Sequence, residues 1–82
     1  MVNIYVGNLS YTCTDAELEQ AFSPYGEISA ARVIIDRQTG RSRGFGFVEM
    51  ATEEEAQKAI EAMNGADMGG RALKVNIARE KS

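Results

Sequence analysis

Val2, Ile4 and Val6 are apolar and alternate with Asn3 and Tyr5, a period of two that predicts a strand over residues 2–6, ended by Gly7-Asn8. Thr14 and Glu17 have the spacing of a helix capping box, and Leu18, Ala21 and Phe22 then recur at helical intervals, so a helix is expected up to Ser23-Pro24 and Gly26. A second strand is expected from Ile28 to Ile35, with Ala31, Val33 and Ile35 in one phase. The polar loop Asp36 to Ser42 offers Gly40 for a positive φ, and a third strand over 43–50 hairpins back on the second. Thr52 and Glu55 repeat the capping box. Ala56, Ala59, Ile60 and Met63 form the buried stripe of a second helix, capped by Asn64-Gly65. Beyond a Gly69-Gly70 turn, Leu73, Val75 and Ile77 alternate in a last strand.

This order, strand-helix-strand-strand-helix-strand, predicts an α+β fold: a ferredoxin-like βαββαβ sandwich forming a single domain over residues 1–82. Two amphipathic helices and one four-stranded antiparallel sheet bury their apolar surfaces together only if both helices lie on the same face. The other face is left open.

Strand phase then assigns the aromatics. On the third strand Arg43, Phe45, Phe47 and Glu49 share one side, and Gly44, Gly46, Val48 and Met50 the other. Burying the phenylalanines would bury Arg43 and Glu49 with them, which is costly for charges without partners. The opposite assignment places Val48 and Met50 in the core, lets Gly44 and Gly46 admit a helix at close range, and leaves Phe45 and Phe47 on the open face. The first strand agrees: Val2, Ile4 and Val6 point inward, and Tyr5 points outward with Asn3. Arg32 and Ile34 on the second strand, and Lys74, Asn76 and Ala78 on the fourth, also fall outward.

A net charge of −3 argues at first against a polyanionic partner, but the signs are segregated along the chain. Asp15, Glu17, Glu19, Glu53, Glu54, Glu55 and Glu61 lie in the two helical segments. Arg32, Arg37, Arg41, Arg43, Arg71, Lys74, Arg79 and Lys81 lie in strands, loop and tail. A molecule acidic on its helices and basic on its open face is expected. Exposed rings beside cations suit unpaired nucleobases, each stacked base contributing roughly 1–3 kcal/mol whatever its identity.

Arg43-Gly44-Phe45-Gly46-Phe47-Val48-Glu49-Met50 resembles the ribonucleoprotein octamer of the RNA recognition motif family, with Met50 where the pattern has an aromatic. Ile4-Tyr5-Val6-Gly7-Asn8-Leu9 is similar to the companion hexamer of that family. The short chain also looks like stand-alone bacterial members. The resemblance implies binding of single-stranded RNA, with Tyr5 and Phe45 as stacking platforms, Phe47 against the sugars and Arg43 on a phosphate. Asn3, Arg32, Lys74 and Asn76 are the expected flanking contacts.

Single-stranded DNA is a near alternative, because stacking does not sense the 2′-hydroxyl, and a protein-interaction module using the same fold is another. A protein partner on the acidic helix faces is a further possibility. An enzyme is not expected: there is no histidine and one cysteine, Cys13, with no nucleophile–base pair at a recognisable spacing. No metal, no cofactor and no disulfide are expected either. No basic segment leads into an apolar run, and none of the apolar runs approaches the roughly 20 residues that span a bilayer, so no membrane association and a cytoplasmic, reducing setting are expected.

Overall fold

A computed structural model describes residues 2–40, 42–68 and 70–78, with backbone alone at Ser42 and Arg43. The chain runs through β1 (Val2–Gly7), α1 (Asp15–Phe22), a 3-10 turn (Ser23–Tyr25), β2 (Ile28–Ile35), β3 (Ser42–Met50), α2 (Glu53–Met63), β4 (Asp67–Met68), β5 (Arg71–Ala72) and β6 (Lys74–Ile77). The main sheet has the order β2-β3-β1-β6 with every pairing antiparallel, and β4 and β5 form a separate two-stranded ribbon. Sequence periodicity predicted the four main strands and both helices. It missed the ribbon, whose strands are two residues each and too short to show a period.

Both helices start where the threonines place them. The Thr14 hydroxyl accepts from the Glu17 N–H at 3.2 Å, and Thr52 does the same for Glu55 at 3.2 Å. The glutamates close the motif by accepting from the threonine hydroxyls. Acidic residues in both first turns also face the positive end of the helix dipole. Gly65 follows the C-cap Asn64 with φ 84°, and its N–H donates to the Leu73 carbonyl, so the end of α2 is tied to the approach to β6.

The core lies between the helices and one sheet face. Ile4, Val6, Val33, Val48, Met50 and Val75 meet Leu18 and Phe22 of α1 and Ala56, Ala59 and Met63 of α2, with Leu9, Cys13 and Leu73 closing the ends. Phe22 is fully buried, and truncating such a side chain to alanine typically costs about 3–5 kcal/mol. The Cys13 thiol is buried as well. Desolvation, and then the charges of Glu17 and Asp15, push its pKa up, which favours the thiol over the nucleophilic thiolate.

Two expectations are corrected. Ile35 shares the core phase of Val33 in the sequence pattern but is 56% exposed. The β2–β3 register shifts between Val33 and Ile35, where Val33 pairs with Gly46 and Ile35 with Ser42, and this irregularity turns Ile35 outward. The glycines of β3 do not admit a helix. A Cβ on Gly46 would collide with the Arg32 carbonyl oxygen and lie 3.1 Å from the Val33 Cα, so it is the β2 backbone that presses there. Gly44 has φ +83°, a left-handed conformation, and its carbonyl accepts from the Leu9 N–H at 2.7 Å.

Candidate nucleic-acid interface

The sheet register arranges the open face in rows across the strands. The central row runs Asn76, Tyr5, Phe47, Arg32 across β6, β1, β3 and β2. One row to one side lie Lys74, Gly7 and Phe45; one row to the other lie Asn3, Glu49 and Ala30. Asn3, Arg32, Lys74 and Asn76 thus share this face with the three rings. Arg32, Lys74 and Asn76 are exposed and Asn3 is half-buried. The side chain of Arg43 lies outside the described residues, as do Arg41, Arg79 and Lys81.

The rings form a nearly equilateral triangle. Tyr5 and Phe45 are 5.9 Å apart between centroids with planes inclined by 30°, a stacked arrangement. Phe47 stands edge-on to both, at 6.0 Å from Tyr5 and 6.1 Å from Phe45. These separations lie within the range in which aromatic pairs attract. The rings therefore brace one another, while Phe47 remains 37% exposed and Tyr5 and Phe45 half-exposed. Gly7 makes this possible. A Cβ there would sit 2.6 Å from the Tyr5 hydroxyl oxygen, so the tyrosine ring lies over the glycine and toward Phe45, its neighbour in that row.

Charge on this face is more mixed than its segregation along the chain implied. Arg32 and Lys74 stand at opposite margins of the sheet, and Glu49 shares the face with them. Exposed acids Glu19, Glu53, Glu54 and Glu61 lie on the helices.

Sequence reasoning missed a second aromatic feature. Tyr11 is 64% exposed, and the guanidinium of Arg71 lies over its ring at 5.4 Å from the centroid. Arg71 also donates to the Asn8 side-chain oxygen at 3.4 Å, and the Asn8 amide donates to the Ala72 carbonyl at 2.7 Å. Asn8 itself has φ 61°. The Gly7-Asn8 strand end was a readable signal for a tight turn, but nothing local tied it to an arginine 63 positions later.

A shallow cleft of ≈ 360 Å³ opens beside Phe47, lined by Asn3, Ala30, Arg32, Ile34, Phe47 and Glu49. Among the described residues no group of three or more His, Cys, Asp or Glu side chains could hold a metal ion, and no helix is long and apolar enough to cross a membrane.

A family model described as RNA recognition motif matches residues 4–74. The chain is 50% identical over 80 residues to a putative RNA-binding protein, RbpB, of Nostoc sp., covering 98% of this chain and 78% of that protein. It is 49% identical to glycine-rich RNA-binding protein 4, mitochondrial, of Arabidopsis thaliana, covering 96% and 58%. The 31 kDa chloroplastic ribonucleoprotein of Nicotiana sylvestris is 52% identical over 96% of this chain, which spans 25% of that relative's length. Among solved structures, the crystal structure of RNA binding protein PG1 superposes with a TM-score of 0.93 at 49% identity, covering 100% of this chain and 99% of that one. A Sxl-lethal protein/RNA complex superposes with a TM-score of 0.87 at 42% identity, covering 93% and 47%.

Proposed function

This chain belongs to the RNA recognition motif family, and from that premise we propose that it binds single-stranded RNA, without catalysis, on the helix-free face of its sheet. The observation that carries the reading is the triangle of Tyr5, Phe45 and Phe47, three mutually braced and partly exposed rings at the centre of that face. Unpaired bases stack on Tyr5 and Phe45, whose planes are inclined by 30°, and Phe47 lies against a sugar or a third base. Paired bases in an RNA duplex do not offer their faces to such rings. Lys74 at one margin neutralises a phosphate, and Asn76 hydrogen-bonds beside it. Arg43, preceding the rings on β3, is the second phosphate contact that the motif implies.

Two or three stacked bases and a few charges correspond to roughly micromolar dissociation constants. A cytoplasmic, reducing setting suits the unpaired, buried thiol of Cys13. The test is a titration of short single-stranded RNA pools with wild type and a Tyr5→Ala/Phe45→Ala/Phe47→Ala variant, folding being checked by far-UV circular dichroism. Loss of binding in a folded variant supports the reading, and equal binding by both proteins removes it. DNA oligomers of the same sequences, run in parallel, measure the share due to the 2′-hydroxyls.

A further inference from the structure

Glu49 is out of place on a face that meets a polyanion. Its carboxylate repels phosphate, yet it is half-buried at the centre of the row Asn3, Glu49, Ala30 and lines the cleft beside Phe47. The small Ala30 side chain keeps the floor of this cleft low. Phe47 and Ile34 supply apolar surface, and Asn3, Arg32 and Glu49 supply the polar groups. Among the described residues no ion pair or side-chain hydrogen bond joins those three to one another. The volume, ≈ 360 Å³, is at the small end of the about 300–1,000 Å³ typical of ligand pockets, the scale of one nucleotide and not of a longer segment.

We propose that this cleft is a base-selective subsite for guanine. The proposal deepens the single-stranded RNA reading and rests on it. An ionised carboxylate only accepts hydrogen bonds. Guanine alone among the four bases carries two adjacent donors on its Watson–Crick edge, N1–H and the N2 amino group, matched to the two oxygens of Glu49. Beside them its O6, and N7 around the corner, are acceptors suited to the Arg32 guanidinium. Uracil sets carbonyl oxygens on both sides of its single N–H. Adenine and cytosine offer one amino group next to a ring-nitrogen acceptor. Each of the three therefore turns at least one lone pair toward the carboxylate, so Glu49 rejects them as well as attracting guanine. Asn3, whose amide carries one donor group and one acceptor, cannot supply the paired acceptors that single out guanine.

The test uses hexauridylate and matched hexamers with one central guanosine, adenosine or cytidine, titrated against wild type, Glu49→Gln and Glu49→Ala. Circular dichroism establishes that both variants fold. Wild type is expected to bind the guanosine hexamer about tenfold or more tightly than the others. Glu49→Gln should erase that preference while raising hexauridylate affinity, because the charge that repels phosphate and uracil is gone, and the guanine imino proton should be protected from exchange with wild type alone. Equal binding of all four hexamers by wild type overturns the guanine subsite while leaving the ring platform standing. Retention of the preference in Glu49→Gln also overturns it. Failure of wild type to bind any hexamer removes both readings.

Discussion

The ring of Tyr5 lies over Gly7, two residues along the same strand, closely enough that a Cβ at position 7 would sit 2.6 Å from the tyrosine oxygen and 2.8 Å from Cε2. Tyr5 pairs across the sheet with Phe47, but the space above Gly7 lets it lean toward Phe45 and stack there. A glycine in the middle of the open face thus sets the geometry of the platform. Gly7→Ala should leave the fold intact, because the obstructing atoms belong to the far end of a side chain that can swing away. The displaced ring would forfeit one stacking position, about 1–3 kcal/mol of RNA affinity. Fluorescence anisotropy with a short single-stranded RNA, beside a thermal melt, checks both parts.

Two glycines of β3 respond differently to alanine. At Gly44 the cost is one of backbone conformation, φ +83°, with only ordinary contacts near an added Cβ, so about 1–2 kcal/mol is expected, with asparagine tolerated better than alanine. At Gly46 the added Cβ meets the backbone of β2, which cannot yield without disturbing the sheet. Gly46→Ala should therefore destabilise at least as much as the about 1–3 kcal/mol usual for overpacking, and more than Gly44→Ala. Urea denaturation of the three variants ranks them.

Asp15 links α1 to the outer strand of the sheet. Its carboxylate accepts from the Val33 N–H at 2.7 Å, on the side of β2 that faces away from β3. Asp15→Ala should cost about 1–3 kcal/mol by leaving that amide without its charged acceptor. Hydrogen exchange at Val33 should accelerate more than at Val48 in the central strand β3.

Lys74 sits at the margin of the open face, in the row of Gly7 and Phe45. As a phosphate contact it carries no base preference. Lys74→Ala should weaken all single-stranded RNAs alike and reduce the slope of log affinity against log salt by about 0.7, one phosphate's share for a single strand. Titrations at several salt concentrations read that slope directly.

The assignment of Phe45 and Phe47 to the open face was legible because period-two alternation forces a choice, and Arg43 and Glu49 made one choice expensive. The two threonine caps and the buried stripe of α2 were legible for the same local reason. What the sequence hid depends on contacts between distant segments. The shift that exposes Ile35 arises from how β2 and β3 pair, not from the pattern of either strand. The reason for Gly46 lies in the backbone of another strand, and the stack of Arg71 on Tyr11 joins residues from opposite ends of the chain. Asp15 reads locally as a first-turn helix acid, and its bond to Val33 becomes visible only once α1 packs on β2. Phase alone puts Glu49 on the open face, but the cleft around it needs three strands in register.

Stacking of unpaired bases on Tyr5 and Phe45, with Phe47 against a sugar or a third base, is read out by nuclear magnetic resonance of the protein with a saturating short single-stranded RNA. Ring-current shifts of the Tyr5, Phe45 and Phe47 side-chain protons are expected, with intermolecular nuclear Overhauser contacts from them to base and ribose protons. Amides of α1 and α2 should stay nearly still. Ring resonances that stay fixed while the helix amides of Glu19, Glu54 or Glu61 move would contradict it.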